Sequence, residues 1–246
     1  LAAEDRVKDA AFLHGDGRTV AAAVVHLRVH VFPEQIKRVV IAHAGLRGDV
    51  LNSLYSLDRE KLLPGQFLFK APCGVTVWDT ERGRGLITQE IELVRENADF
   101  VVMDIPAEAL CRMPEVIYAA QALIVIATPD VESVVEAYAK IKRIVSVKDS
   151  SSVRLLVNMA LNAEDAQAVK NRLVGVCKHF LKIELKCVNS LLFDPIVPKT
   201  VQEGGFLVRN HPYSKLSKSL TLLAQDLCRH TVMLTAPELL LRASVS

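Results

Sequence analysis

Residues 119–135 of the 246-residue chain have the sequence AAQALIVIATPDVESVV, and this stretch decides the fold class. Leu123–Thr128 (LIVIAT) is a continuous apolar run of the length of a buried strand. Pro129 and Asp130 follow at once and are residue types that open helices, with apolar residues after them at Val131, Val134, Val135, Tyr138 and Ile141. The stretch predicts a strand that leads directly into a helix, the unit from which parallel sheets are built.

The same alternation continues along the whole chain. It predicts a strand at each of seven places: Ala10–His14, Lys37–Ala44, Val75–Trp78, Phe100–Asp104, Leu123–Thr128, Ser152–Asn158 and Glu184–Asn189. It predicts helices over about residues 18–31, over Leu86–Asn97, after Asp130, over the stripe Ala166, Val169, Leu173, Val176 and Phe180, and over Ser214–Arg229. We therefore expect an α/β fold, a three-layer αβα sandwich with a mainly parallel, doubly wound sheet of about seven strands.

Composition and charge narrow the class of protein. Half of the residues are hydrophobic and 24% are charged, which excludes a disordered, collagen-like or coiled-coil chain. The apolar runs are far shorter than the ~20 residues of a membrane-spanning helix. Five cysteines without a C-x-x-C spacing argue against a zinc site and for free thiols in the cytoplasm. We expect a single domain over residues 1–230 and a C-terminal tail over residues 231–246.

The charge is distributed unevenly. Residues 139–230 contain 15 Lys and Arg against 7 Asp and Glu, a net charge of +8, whereas residues 1–138 carry a net charge of −6. A basic second half is suited to an acidic protein, an anionic membrane or a nucleic acid, although solvated helix faces are the simpler interpretation. No specific nucleic-acid-binding motif is present. The tail has one Arg and no Lys, so it lacks the basic face that stable anchoring to an anionic membrane requires.

The turn after the first strand has the composition of a phosphate-binding loop. It runs HGDGRT over His14–Thr19. Gly15 and Gly17 allow backbone N–H groups to curl around a phosphate, Arg18 supplies a cation, and the Thr19 hydroxyl is a magnesium ligand type. The turn does not match the G-x-x-x-x-G-K-[ST] expression, and a plain strand–helix turn is the alternative.

A carboxylate and an amide follow two other predicted strands. Asp104 ends the apolar run FVVMD, where nucleotide hydrolases hold magnesium through a water molecule, and Asn158 ends the run over Ser152–Asn158. A helix cap or a loop carboxylate is the alternative for Asp104. Because ligands bind outside the carboxyl ends of parallel strands, we expect residues 14–19, Asp104 and Asn158 to converge at one edge of the sheet.

Several segments resemble the MinD/ParA family of deviant-Walker ATPases. Asp104–Ala107 (DIPA) resembles the D-x-P-A segment after the family's Walker B strand, and the quoted stretch over residues 119–134 is similar to its AD..I.V.TPE..S segment. From Leu155 onward the chain looks most like the FlhG (FleN) branch, which regulates flagellar number. The similar segments there are LLVNM at residues 155–159, VCKHFLKIEL at residues 176–185 and FDP at residues 193–195.

This resemblance implies a MinD-like P-loop NTPase fold that binds ATP or ADP with Mg²⁺. It implies that Gly15, Gly17, Arg18 and Thr19 hold the phosphates, that Thr19 and Asp104 hold the metal, and that Asn158 faces the base. It also implies a homodimer with nucleotide between the subunits and a flagellar or secretion-apparatus regulatory protein as partner. The expected location is the cytoplasm, including the inner face of the cell membrane.

The chain departs from the family pattern where hydrolysis is performed. The loop at His14–Thr19 is one residue short, Arg18 replaces the family's phosphate-binding Lys, and Ile41 and His43 stand where the family has two aspartates. Neither Ile nor His brings a negative charge to the attacking water. We therefore assign no catalytic residue and expect a pseudo-ATPase that acts in positioning or number control of flagella or another apparatus. The alternative is a nucleotide-independent scaffold with the same fold.

Overall fold

The computed structural model describes strands at residues 8–14, 39–43, 68–70, 76–79 and 100–106, and then residues 117–118, 120–202 and 207–233. Within these ranges eight strands form one sheet. They are β1 (Lys8–His14), β2 (Val39–His43), β3 (Leu68–Lys70), β4 (Thr76–Asp79), β5 (Phe100–Pro106), β6 (Ala122–Ala127), β7 (Val153–Val157) and β8 (Lys186–Cys187).

The spatial order of the strands is β3-β4-β2-β5-β1-β6-β7-β8. Every neighbouring pair is parallel except β3 and β4, which are antiparallel. The expected α/β class and mainly parallel sheet are therefore confirmed. The sheet has eight described strands instead of about seven, because the three-residue edge strand β3 carries too short an apolar pattern to be predicted.

Strand β1 lies inside the sheet, between β5 and β6. Its register places Phe12 beside Asp104 and His14 beside Pro106 on the β5 side. On the other side Ala10 pairs with Ala122 and Leu13 with Val125. The segment that leads into the predicted phosphate loop therefore begins in the interior of the sheet, with strands on both sides of it.

Five α-helices are described: α1 (Val131–Val145), α2 (Ala163–Val176), α3 (Ile196–Gln202), α4 (Leu207–Asn210) and α5 (Lys215–Met233). A 3-10 turn at Ser150–Ser152 precedes β7. The helices predicted over residues 18–31 and over Leu86–Asn97 lie outside the described residues. None of the helices in the described part of the chain is both long and apolar enough to span a membrane.

Both faces of the sheet carry buried apolar side chains. On one face, side chains of β6 and β7 form a core with α1 and α2, and its central members are Leu123, Val125, Ala127, Ala137, Ile141, Ile144, Val153, Leu155, Val157, Val169 and Leu173. Because side chains alternate along a strand, Ile124, Ile126 and Leu156 face the opposite side. The helix α5 contacts β1 and buries Leu220, Leu223, Ala224 and Leu227. Helices therefore cover both faces, as a three-layer sandwich requires.

The predicted apolar stripe of α2 is correct for its first three positions and wrong for Phe180. Ala166, Val169 and Leu173 are buried, but Phe180 is 68% exposed. The helix continues as a π-turn over Cys177–Leu181, and the wider turn rotates the residues that follow it. Cys177 therefore takes the buried position, and the chain leaves the helix at Lys182 with a φ of 57°.

Candidate functional site

The carboxyl ends of four neighbouring parallel strands form the edge where the candidate site lies. In the spatial order β5-β1-β6-β7, these strands end at Pro106, His14, Ala127 and Val157. Parallel strands about 4.8 Å apart place the residues that follow them in one row. This row includes His14, where the predicted phosphate loop starts. It also includes Asn158, and Asp104 lies close to it in β5.

Asp104 lies in β5, two residues before the strand ends at Pro106. Its register neighbours are Phe12 on β1 and His43 on β2. The backbone therefore places Asp104 one strand away from the segment that leads into the predicted phosphate loop. It also places His43, which the resemblance aligns with a family aspartate, directly beside Asp104. The magnesium role of Asp104 stays a prediction.

Gly15, Gly17, Arg18 and Thr19 follow directly on the end of β1 and lie outside the described residues. His14, the last residue of β1, is their point of attachment to the sheet. Their predicted roles toward phosphate and, for Thr19, toward Mg²⁺ stay predictions.

Asn158 directly follows β7 and is 7% exposed. Its backbone N–H donates to the carbonyl oxygen of Ala127 at 2.9 Å, which extends the β6–β7 pairing by one residue. Met159 then has a φ of 58°, a left-handed conformation that turns the chain sharply away from the strand. The backbone of Asn158 is thus held at a fixed point of the carboxyl edge, two strands or about 10 Å from β1.

The segment after β7 is also hydrogen-bonded to residues 191–193, on the side away from β6. The N–H of Leu191 donates to the carbonyl of Val157 at 2.8 Å, and the N–H of Phe193 donates to the carbonyl of Ala160 at 2.8 Å. Ala160 and Leu192 form a parallel bridge. Asn158 therefore lies in a backbone that is hydrogen-bonded on both sides, the fixed setting that its predicted contact with the base requires.

A network of three side chains lies between β6 and α1. Asp130 is the N-cap of α1, where its Oδ1 accepts from the N–H of Ser133 at 2.7 Å, and its other oxygen accepts from the Thr128 hydroxyl. The N–H of Thr128 in turn donates to the Ser133 Oγ at 2.9 Å. The hydrogen bond from Thr128 and then that from Ser133 hold the pKa of Asp130 below its ordinary value. The network fixes the entry into α1 beside the row of strand ends.

Sequence reasoning identified Asp130 as a helix start but missed the parts of Thr128 and Ser133. The spacing of an N-cap residue and a hydroxyl three positions later is the available signal. Among the described residues, no group of three His, Cys, Asp or Glu side chains is arranged to hold a metal ion.

Comparison with known proteins agrees with this geometry. No protein-family model matches the chain. The antiactivator FleN of Pseudomonas aeruginosa is 28% identical over 141 residues, which cover 57% of this chain and 50% of FleN. The flagellum site-determining protein YlxH of Helicobacter pylori is 24% identical over 164 residues, which cover 65% of this chain and 55% of YlxH. The chain spans about half the length of these curated relatives.

Solved structures that resemble the chain include MinD proteins and a ParA-family ATPase. The structure of MinD with Mg-ADP from Pyrococcus horikoshii has a TM-score of 0.66 at 15% identity, over 92% of this chain and 98% of that one. The MinC:MinD complex of Aquifex aeolicus has a TM-score of 0.66 at 16% identity, over 90% of this chain and 96% of that one. The chain has the fold of MinD and ParA proteins and is similar in sequence to FleN and YlxH. This confirms the resemblance predicted from its motifs and the predicted α/β sandwich of MinD-like fold.

Proposed function

We propose that the chain is a MinD/FlhG-like regulatory protein that binds ATP or ADP with Mg²⁺ and has lost efficient hydrolysis. It acts in positioning or number control of flagella or of another cellular apparatus. The observation that supports the proposal is the strand order β5-β1-β6-β7, in which the strand with Asp104, the strand that ends at His14 and the strand before Asn158 end along one edge. The similarity to FleN and to the flagellum site-determining protein YlxH supports the proposed process.

Each part of the nucleotide has a proposed partner. Gly15, Gly17, Arg18 and Thr19 hold the phosphates at the end of β1, where a glycine-containing turn offers backbone N–H groups. The Thr19 hydroxyl and the Asp104 carboxylate hold Mg²⁺, Asp104 through a water molecule. Asn158 meets the base, because an amide both donates and accepts hydrogen bonds.

The proposed loss of hydrolysis rests on strand β2. Hydrolysis needs a group that orients the attacking water. The structure places β2 beside β5, with Ile41 in register with Val102 and His43 with Asp104. Neither residue of β2 supplies a carboxylate at this place, so bound nucleotide persists and the protein acts as a slow or fixed switch.

We further propose a single domain over residues 1–230 with a tail over residues 231–246. The proposed assembly is a homodimer with nucleotide between the subunits. The proposed partner is a regulatory protein of a flagellar or secretion apparatus, and the proposed location is the cytoplasm, including the inner face of the membrane. The MinC:MinD complex supports a protein partner for this fold.

The test is thermal unfolding of the full chain with and without Mg-ATP or Mg-ADP. Ligand at 100 times its Kd adds about 2.7 kcal/mol to the free energy of unfolding, and for a chain of this size that raises Tm by roughly 5–10 °C. Asp104→Ala reduces the shift with Mg²⁺ present, whereas Glu164→Ala, at an exposed position in the first turn of α2, leaves it unchanged. No shift with either nucleotide at millimolar concentration contradicts the proposal.

One observation favours the nucleotide-independent scaffold as a second candidate. Three large apolar side chains near the same edge are exposed: Val131 by 68% and Val135 by 61% on α1, and Leu161 by 75% after β7. Exposed apolar residues that lie close together serve protein contacts. A scaffold predicts that Val131→Ser with Val135→Ser abolishes partner binding equally in the presence and absence of nucleotide, whereas a switch predicts partner binding that depends on nucleotide.

A further inference from the structure

Arg154 is a buried cation whose Nε lacks a hydrogen-bond partner. It is the second residue of β7 and is 8% exposed. Within the part of the chain that the structure describes, its Nε is the one buried side-chain nitrogen or oxygen without a hydrogen-bond partner. An arginine guanidinium is a cation with five N–H donors and no acceptor. A buried charged donor without an acceptor is costly, so the group is suited to a ligand that supplies one.

The register of the sheet places a second cation beside it. Arg154 pairs with Ile124 on β6 and with Lys186 on β8. Residues in register on parallel strands share a face of the sheet, and neighbouring strands lie about 4.8 Å apart. Since Val153, Leu155 and Val157 belong to the core with α1 and α2, Arg154 and Lys186 lie on the opposite face.

The two sides of Arg154 differ in access. Ile124 is completely buried and closes the side toward β6. Lys186 is exposed on β8, the last strand in the spatial order. The exposed neighbour of Arg154 in the sheet is therefore Lys186, on the β8 side.

We propose that Arg154 and Lys186 form a binding site for one oxyanion, a carboxylate or a phosphate. An oxyanion between them relieves the repulsion of two neighbouring cations and accepts charge-assisted hydrogen bonds from both. The site is separate from the candidate nucleotide site, because Arg154 lies four residues before Asn158 on the same run of chain, which is about 13 Å along an extended strand. It does not depend on the proposed function.

The experiment follows the Nε–Hε resonance of Arg154 by ¹H–¹⁵N NMR in the full chain, assigned with Arg154→Met. The probes are inorganic phosphate and the capped peptide acetyl-Glu-Glu-Glu-Glu-amide, with sodium chloride at matched ionic strength as the control. Mg-ADP is present throughout, so that phosphate does not report on the candidate nucleotide site. We expect a saturable shift of this resonance with at least one of the two probes and not with chloride.

The variants test the two residues separately. In Lys186→Gln the probe binds several-fold more weakly while the Arg154 resonance remains visible. In Arg154→Met the affinity for the probe, measured from the rise in Tm that the probe causes, falls about tenfold or more, since a charge-assisted bond is lost. Arg172→Met removes an exposed guanidinium from α2 and leaves binding unchanged.

The outcomes distinguish an acidic polypeptide from free phosphate as the source of the oxyanion, and they also test whether the site exists. Tighter binding of the peptide identifies an acidic polypeptide as the source of the oxyanion, and tighter binding of phosphate identifies the free ion. The proposed site is wrong if the probes shift the resonance no more than chloride does. It is also wrong if Arg172→Met loses as much affinity for the probe as Arg154→Met does. If Arg154→Met does not fold, the Lys186→Gln titration decides, because an unchanged affinity there also overturns it.

Discussion

The backbone N–H of Asn158 donates to the carbonyl of Ala127 at 2.9 Å and joins the ends of β7 and β6. The contact uses main-chain atoms alone, so it persists whatever side chain occupies position 158. The Asn158 side chain, on a residue that is 7% exposed at the carboxyl edge, is therefore open to replacement without loss of the strand pairing. This separation of backbone and side chain makes the proposed base contact testable.

We expect Asn158→Ala to bind Mg-ADP about tenfold more weakly, the loss of roughly 1.4 kcal/mol that one or two hydrogen bonds to the base supply. Isothermal titration calorimetry measures the Kd. Asn171→Ala, an exposed asparagine on α2 that accepts from Gln167, is the matched control and leaves the Kd unchanged. An unchanged Kd in Asn158→Ala, together with a lower Tm, contradicts the base contact and indicates a purely structural side chain.

The purified chain is expected to release no phosphate from ATP above background. One lost electrostatic stabiliser costs about 10²–10³ in rate, and the resemblance aligns Arg18 with the family's phosphate-binding lysine and Ile41 and His43 with its two aspartates. Phosphate release is measured for the wild type beside Asp104→Ala. A signal that exceeds background in the wild type and vanishes in the variant shows that the protein hydrolyses ATP, and the pseudo-ATPase proposal is then wrong.

The cap of α1 makes a pH-dependent contribution to stability. Hydrogen bonds from Thr128 and Ser133 lower the pKa of Asp130, so its ionised form is favoured in the folded protein. The contribution is present above the ordinary value of 3.8 and is lost as the pH falls through the lowered pKa. We expect Asp130→Ala to lower the free energy of unfolding by about 1 kcal/mol at pH 7.

Urea unfolding of wild type and Asp130→Ala at pH 7, 5, 4 and 3 measures this effect. The difference between the two proteins shrinks only at the acidic end of the series. Glu164→Ala, at an exposed acidic position in the first turn of α2, controls for the loss of a surface carboxylate. A difference that stays constant over the whole series shows that the charge of Asp130 does not contribute.

Lys148 stabilises the approach to β6. Its Nζ donates to the carbonyls of Ile117 at 2.8 Å and Tyr118 at 3.0 Å, and also to the carbonyl of Ala120. Ile117 and Ala120 are buried, so without Lys148 their carbonyls lose a donor that water does not readily replace. Lys148→Met is expected to lower the free energy of unfolding by about 1–3 kcal/mol in urea unfolding. Lys199→Met, at an exposed position on α3, changes it by less than about 0.5 kcal/mol.

The central strands were predictable because their chemistry is local. The run ALIVIA at Ala122–Ala127 is buried throughout, and a continuous apolar run of this length is typical of a strand covered on both faces. Strand β3 was not predictable in this way, since three residues carry no period. Its pairing with β4 depends on tertiary contacts that no local pattern records.

Phe180 shows a different limit. An apolar residue at helical spacing predicts burial only if the helix keeps 3.6 residues per turn, and the π-turn at Cys177–Leu181 breaks that condition. For the candidate site, topology rules predict that Asp104 and Asn158 share one edge of the sheet, because the carboxyl ends of parallel strands lie together. The predicted strand end at Asp104 is two residues short, since β5 continues to Pro106. They do not give the conformation of residues 15–19, on which the predicted phosphate contacts depend.

The interior position of β1 determines how late during synthesis on the ribosome this strand can pair with its neighbours. Lys8 pairs with Phe100, and Ala10 pairs with Ala122. At about 5–20 residues per second, roughly 5–20 s pass between the synthesis of β1 and that of β5, the first of its two neighbours along the chain. During this interval the apolar strand has no place in the sheet, and a chain that stops before Phe100 lacks both neighbours. Translation through β6 is therefore the earliest point at which the middle of the sheet can close.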